Sequence, residues 1–291
     1  MLVLIFGATG TLGQALLRAA KARGLGFVGA ARRGADRAID VTDAAAIDTL
    51  IHTERPDIVV NCAAITDLDA CEREPAAAYL VNARAAALMA AASAAAGARF
   101  VHISTDHFFD GPGAALHDEG AAIRLVNEYA RSKHAGETLA LAVPGTLALR
   151  TNLAGWRGWP ARPSFIEWAA SALRQDGAVT GFSDFFTSTI DADALAAAIF
   201  DLLARGATGL LNVGACEAVD KATFLRAFAR ALGVPAERVR DGSVRSLATP
   251  RATGLGLDVR RAEVILGYRL PDHEAVIAAL LRSRPAAPCA S

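Results

Sequence analysis

The sequence predicts an α/β fold in which a parallel sheet carries helices on both faces and a small C-terminal α/β cap completes the chain. Three observations lead there. Short aliphatic or β-branched runs alternate with alanine-rich helical stretches, which is the pattern of βαβ units. The first run ends in a glycine turn, Gly7-Ala8-Thr9-Gly10-Thr11-Leu12-Gly13, which opens an amphipathic stretch. The 291 residues, 53% of them hydrophobic, suit one large core with a smaller companion.

The strands are expected at 2 to 6 (LVLIF), 26 to 30 (GFVGA), 57 to 61 (DIVVN), 99 to 104 (RFVHIS), 145 to 150 (GTLALR) and 209 to 214 (GLLNVG), with a very short one before Asp40. Helices near 11 to 23, 43 to 53, 76 to 96 and 126 to 142 separate them, and Asp43 is expected to cap the second. After Arg150 the texture changes. Trp156, Gly158, Pro160 and Pro163 crowd one loop, and a helix follows from about Phe165 to Leu173. A second cap segment begins near Val234 and closes with a helix at 273 to 282. The expected division is a Rossmann-type domain at 1 to 152 and 190 to 233, a cap at 153 to 189 and 234 to 283, and a tail at 284 to 291.

Thirty acidic and thirty basic residues cancel, and no basic run is interleaved with aromatics, which argues against nucleic-acid binding and for a small-molecule partner. The opening MLVLIFG reads as a strand rather than a signal peptide. The most lipid-like stretch, 85 to 98, is too short to span a bilayer, so no membrane is expected. Cys62, Cys71, Cys216 and Cys289 form no Cys-x-x-Cys pair, which fits neither a zinc site nor a disulfide framework and suggests a reduced, cytoplasmic protein.

The glycine turn stands where a dinucleotide diphosphate binds. Its glycines permit a tight turn, close backbone approach to phosphate, and close packing of helix on strand, which marks Gly7, Gly10 and Gly13. At the end of the second strand Ala30-Ala31-Arg32-Arg33 offers two guanidiniums and no carboxylate, a pattern that favours the extra phosphate of NADP(H), with NAD(H) the alternative.

Tyr129 and Lys133 lie four apart in NEYARSKHAGE, so both project from one face of a helix. With three tyrosines and three lysines in the chain, that spacing is expected by chance only about 0.03 times. Lysine, unlike the arginine that fills most basic positions here, offers a compact ammonium that can lower a neighbouring phenol's pKa. Thr105 and Asp106 follow a strand's carboxyl end, where open sheets bind ligands. Together they suit reduction of a ketone: Thr105 hydrogen-bonds the carbonyl, Tyr129 protonates it, and Lys133 tunes Tyr129.

The histidines say less. His102, within an apolar strand, reads as a satisfied structural residue, and His52, His134 and His273 occur singly on helical faces, while His107 directly follows Asp106 and faces either substrate or nothing chemical. His117-Asp118-Glu119 resembles a metal cluster by composition only and reads as a solvated lid loop.

Together GATGTLGQAL, DVTD, RPDIVVNCAAITDLDACEREPAAAYLVNA, HISTDHFFDG, NEYARSKHAGE, LALRTN, STIDADALAAAI and LDVRRAEVILGYRLP resemble the extended short-chain dehydrogenase/reductases, and more closely the dTDP-4-dehydrorhamnose reductase family, over nearly the whole chain. The resemblance implies an NADPH-dependent reductase of the 4-keto group of a nucleotide-linked deoxysugar. It makes Gly7, Thr11, Leu12, Asp40, Val41, Cys62, Ala63, Ala64 and Asn82 cofactor neighbours, with Tyr129 and Lys133 touching the cofactor as well, and Thr66, Asp106, His107 and Asn152 neighbours of the sugar. The family usually has tyrosine at His107 and Ile65 and tryptophan near Asn152 and Leu153, and its cap motif is replaced here by Ser183-Asp184-Phe185-Phe186-Thr187-Ser188. These departures lie on the substrate side. His107 stands where related dehydratases carry a glutamate base, which disfavours dehydration. An epimerase, or a non-catalytic NADP-binding regulatory subunit like that of methionine adenosyltransferase, are the alternatives, and a homodimer is open to the chain.

Overall fold

Alternating burial along the first strand, β1 (Leu2–Phe6), sets the layering. In the computed structural model, which describes residues 1 to 175 and 177 to 285, Val3 and Ile5 enter one core and Leu4 and Phe6 the other, as the two-residue strand period requires. The other sheet strands are β2 (Gly26–Ala31), β3 (Arg37–Ala38), β4 (Ile58–Asn61), β5 (Arg99–Ile103), β6 (Leu147–Arg150) and β7 (Gly209–Asn212). They pair in the order β7-β6-β5-β4-β1-β2-β3, parallel throughout, so the predicted doubly wound sheet is present.

Helices α1 (Thr11–Ala22), α2 (Ala44–Glu54), α3 (Pro75–Ala95) and α4 (Glu128–Leu141) flank the sheet as expected. The expected Asp43 cap forms, its carboxylate accepting from the Ala46 amide at 3.1 Å, a contact generally worth about 1 kcal/mol. Helix α3 is longer than the apolar stretch on which the length argument rested. Its 21 residues could by length and composition cross a bilayer, yet half of the apolar window is buried within the fold. A π-helical turn at Leu80–Arg84 bulges its middle and turns Asn82 inward.

A second cluster lies beyond the sheet. Ile166, Ala169 and Leu173 of α5 (Phe165–Arg174) pack with Val179, Val239, Phe224 and Phe228, and with Val276 and Leu280 of the last helix (His273–Arg282). Phe224 and Phe228 belong to helix Lys221–Ala231, which the sequence boundaries assigned to the sheet domain. Conversely Leu257, Val259, Ala262 and Leu266, assigned to the cap, pack into the sheet's own core. We therefore propose that the two bodies divide by packing, with 221 to 231 in the cap and 257 to 270 on the sheet. Of the expected tail, 286 to 291, with Cys289, lies outside the described residues.

The acidic loop is corrected too. His117 stacks on Phe109 at 4.7 Å, Glu119 accepts the Asn212 amide at 2.9 Å, and the Glu119 carbonyl accepts from Arg150, so His117 and Glu119 are packed against the fold and only Asp118 between them is exposed, which is not a solvated lid.

Candidate active site

Strand register brings the functional loops to one edge. Phe6 aligns with Asn61, Asn61 with His102, and Ile103 with Leu149, so the loops after β1, β4, β5 and β6 leave the sheet side by side at its carboxyl end. The order of connections reverses between β1 and β4, which makes this the crevice where open sheets bind ligands. A cavity of about 390 Å³ occupies it. Gly10, Thr11, Leu12, Gly13, Cys62, Ala64 and Thr66 line it together with Thr105, Asp106, His107, Tyr129, Lys133 and Asn152.

The remaining predicted residues stand outside that cavity. Gly7, at φ +77°, passes so close to the next loop that a Cβ would come within 2.8 Å of the Ala63 nitrogen. A Cβ on Gly13 would meet the Gly7 carbonyl at 2.3 Å. Gly10 precedes helix α1 as its N-cap and has no side chain to cap it, which leaves the first amides free for an anion. Arg32 and Arg33 are exposed past β2, and Asp40, exposed past β3, accepts from the Thr42 amide at 2.9 Å with Val41 half-buried beside it. Asn82 is buried and clamps backbone: its Oδ1 accepts from Ile65 N at 2.8 Å while its Nδ2 donates to the Ile65 carbonyl and to Ser132 Oγ. It thus shapes the loop carrying Ala64 and Thr66. Asp36 is a carboxylate that the strand-end reading overlooked, and it is engaged by the Gly29 amide at 2.8 Å.

Helix α4 is held in register from both ends. Buried Asn127 caps it through Ala130 N at 2.9 Å and donates to the Pro250 carbonyl at 3.0 Å. Gly136 lets it approach α3 closely, since a Cβ there would clash with the Asn82 carbonyl at 2.1 Å. Below Tyr129 and Lys133, Glu137 forms a buried ion pair with Arg150 at 2.7 Å and accepts from Ser104 Oγ at 2.6 Å. Helix α4, the end of β6 and the loop after β5 are thereby tied together.

Electrostatics differ from the simple picture of a lysine lowering a phenol. Burial raises Tyr129 above the ordinary phenol range, Asp106 and Cys71 push the same way, and the Thr105 hydroxyl opposes them. Lys133 donates to the Ile103 carbonyl at 2.6 Å; burial brings its ammonium down to about 8, with Glu137 and Cys62 pulling it back up. The opposing hydrogen bond to Tyr129 in this structure is therefore Thr105's. Burial pushes the Cys62 thiol up to about 12, so it stays protonated. His107 is neutral, taken down to about 3 by burial and by the charges of Arg251 and Lys221. Its ring meets Tyr129 edge-on at 5.2 Å, and its buried Nδ1 has no partner among the described residues. His102, expected to be satisfied, is so at one nitrogen only: Nδ1 pairs with Asn61 at 3.3 Å and Nε2 has no partner among the described residues.

Asp106 leads to a residue that the sequence reading missed. Its carboxylate accepts from Asn152 Nδ2 at 2.9 Å, Asn152 Oδ1 accepts from Thr189 at 2.8 Å, and Lys221 Nζ donates to Thr189 at 2.8 Å. Burial raises Asp106 and lowers Lys221, and each charge favours the other. Lys221 also sits over Phe165 and Phe224, so it joins the cap to the loop that carries Asp106. Lysine scarcity was the available signal: of three lysines, two reach this site.

Comparison with known proteins gives the family. Residues 1 to 284 match the family described as the RmlD substrate binding domain. The chain is 31% identical to a probable low-salt glycan biosynthesis reductase of Haloferax volcanii, over 96% of this chain and 97% of the relative. It is 32% identical to the dTDP-4-keto-6-deoxy-D-glucose reductase of Streptomyces niveus, over 89% of each chain. Among solved structures, the dTDP-4-dehydrorhamnose reductase of Bacillus anthracis, in complex with NADP, superposes with a TM-score of 0.88 at 23% identity, over 97% of this chain and 99% of that one.

Proposed function

Because the chain belongs to the RmlD substrate binding domain family, we propose that it is an NADPH-dependent reductase of the 4-keto group of a nucleotide-activated deoxysugar. The observation that carries this reading is the convergence of Thr105, Tyr129 and Lys133 on one cavity that the glycine loop also lines. The glycine loop fits a dinucleotide: its helix presents uncapped amides, and its two tightest glycines let the helix and the loop after β4 pack closely against the turn. Arg32 and Arg33 suit the 2′-phosphate, and Asp40, Val41, Cys62, Ala63, Ala64 and Asn82 complete the cofactor's surroundings.

NADPH, when bound, supplies a hydride to the ketone carbon. Thr105 orients the carbonyl through its hydroxyl. Tyr129, kept protonated by burial, donates its proton to the carbonyl oxygen. The phenolate left behind needs a nearby cation, and Lys133 on the next helical turn supplies it. Thr66, Asp106, His107 and Asn152 border the sugar, with Lys221 holding Asp106 and Asn152 in place through Thr189. His107, neutral at physiological pH, offers no carboxylate base for dehydration.

NADPH oxidation in the presence of a panel of nucleotide-linked 4-ketosugars tests the reading, and no ketosugar-dependent oxidation across the panel would overturn it. NADPH is expected to bind more tightly than NADH, and replacing Arg32 and Arg33 together with alanine should remove roughly tenfold of that preference. Equal affinities in the native protein would remove the inference. The pH profile carries a sign as well. As pH rises through about 8, Lys133 loses its proton and kcat/KM should fall with it. Lys133→Arg, which stays charged, should lose that limb, and a native profile flat across this region would contradict the role of Lys133.

A further inference from the structure

Asp106 is joined to the cap by a chain of hydrogen bonds whose direction can be read. Lys221 Nζ, which has donors only, reaches Thr189 Oγ1 at 2.8 Å, and Thr187 Oγ1 stands 2.9 Å from the same oxygen. Thr189 has one proton and gives it to Asn152 Oδ1 at 2.8 Å, so Thr187 donates to Thr189. With its Oδ1 occupied, Asn152 turns Nδ2 to Asp106 Oδ2 at 2.9 Å, and the Thr105 hydroxyl donates to Asp106 Oδ1 at 3.3 Å. Each oxygen of Asp106 thus receives a donor, which suits a carboxylate and not a carboxylic acid. Thr105, Asp106, Thr187 and Thr189 are buried, which keeps water from competing for these bonds.

The chain also has a reverse direction. If Asp106 holds a proton, its hydroxyl needs an acceptor: Asn152 turns Oδ1 toward it and Nδ2 toward Thr189, and Thr189 gives its proton to Thr187. Lys221 donates to Thr189 in both directions, so its hydrogen bond does not choose between them, but its charge does. Burial favours the protonated form of Asp106, and the Lys221 ammonium opposes it. The other titratable groups facing Asp106 supply no such charge: His107 Nε2 lies 4.0 Å away on a neutral ring, and Tyr129 of α4 is a protonated phenol. Lys221 opens helix Lys221–Ala231, whose Phe224 and Phe228 belong to the cap's core, so the charge arrives with the cap.

We propose that Lys221 is a positioning residue through which the seated cap selects the direction of this chain and holds Asp106 as an acceptor beside Thr105. The inference rests on the reductase reading above and adds to it a control of the site by the cap. It bears on Thr105 because that hydroxyl is held between two partners, the Asp106 carboxylate and the His107 amide, which donates to Thr105 Oγ1 at 3.3 Å. Both bonds are long, so the hydroxyl is aimed yet can still turn to a substrate carbonyl. A protonated Asp106 would take the acceptor away, and Thr105 would lose its direction. A cap lifted from the sheet would carry Lys221 off and have the same effect.

The test follows Asp106 by two titrations of the full chain. Carbon NMR on protein labelled at its aspartate carboxyls reports the group itself, with Asp106→Asn assigning the signal, and kcat/KM with NADPH and a ketosugar reports the acid limb of activity. As pH falls Asp106 takes up its proton, and kcat/KM should fall with it. Lys221→Met removes the charge that opposes protonation, so the Asp106 midpoint and the acid limb should both move to higher pH by roughly one pH unit. Lys221→Arg keeps a charge and should leave both near their native positions, whatever its absolute rate. Should Lys221→Met melt early, Lys221→Gln keeps a donor for Thr189, loses the charge and carries the same test. An Asp106 midpoint unmoved in the uncharged variants would overturn the role even where their rates fall, because a brace that only packs lowers the rate without moving a titration. Failure of the two readings can be told apart, since the NMR titration needs no substrate. A moved midpoint with no ketosugar reduced would sink the reductase reading and leave the coupling of Lys221 to Asp106. A ketosugar reduced with an unmoved midpoint would do the reverse.

Discussion

Tyr129→Phe is expected to lower kcat by roughly 10²- to 10⁴-fold while leaving NADPH binding and melting temperature near their native values. The hydroxyl's described partner is Thr105, whereas the ring is held by packing against Leu68, Cys71, Ala78 and the edge of His107. Removing one oxygen therefore deletes the proton donor and little else. Single-turnover oxidation of bound NADPH with excess ketosugar isolates the chemical step. Unchanged turnover would take Tyr129 out of the mechanism.

The second large effect concerns stability. Glu137→Ala should destabilise the fold by about 3–5 kcal/mol, because it leaves the Arg150 guanidinium, 2% exposed, without its partner. Thermal unfolding should show a melting temperature lower by on the order of 10 °C. Arg150 retains Phe108 and Phe109 against its face and the Glu119 carbonyl, neither of which replaces a carboxylate. Replacing both members with methionine should recover much of the loss, since a well-packed apolar pair avoids the cost of burying charge. A native-like melting temperature in Glu137→Ala would contradict the account. The pair also reaches the chemistry. Glu137 pulls the Lys133 pKa up, so its removal should move the alkaline fall in kcat/KM to lower pH.

What the sequence disclosed and what it withheld follow from the range of the interactions. The sheet was legible because each strand carries its own aliphatic run and each crossover its own helical stretch, both local signals. Thr105, Tyr129 and Lys133 were legible because the pair lies on one helix and the threonine ends one strand. Lys221 was not, because it reaches Asp106 through Asn152 and Thr189, on separate segments that only the folded cap brings together. His117 misled in the other direction: its polar neighbours suggested a solvated loop, while the fold stacks its ring on Phe109 and ties Glu119 to β7. Lys133 lies on the face of α4 where the spacing put it, but what acts on the Tyr129 phenol is burial, which raises it, with Thr105 providing the opposing hydrogen bond, and composition does not show burial.

The central claim is that this cavity delivers a hydride and a proton across one carbonyl. It is tested most directly by incubating the protein with a nucleotide-linked 4-keto-6-deoxysugar and NADPH deuterated at the transferable position, then examining the product by NMR. The account predicts one deuterium bound to carbon 4 in a single configuration, with an equivalent of NADPH consumed. Recovery of the ketosugar with NADPH unoxidised, or an isomerised sugar with no deuterium incorporated, would contradict it.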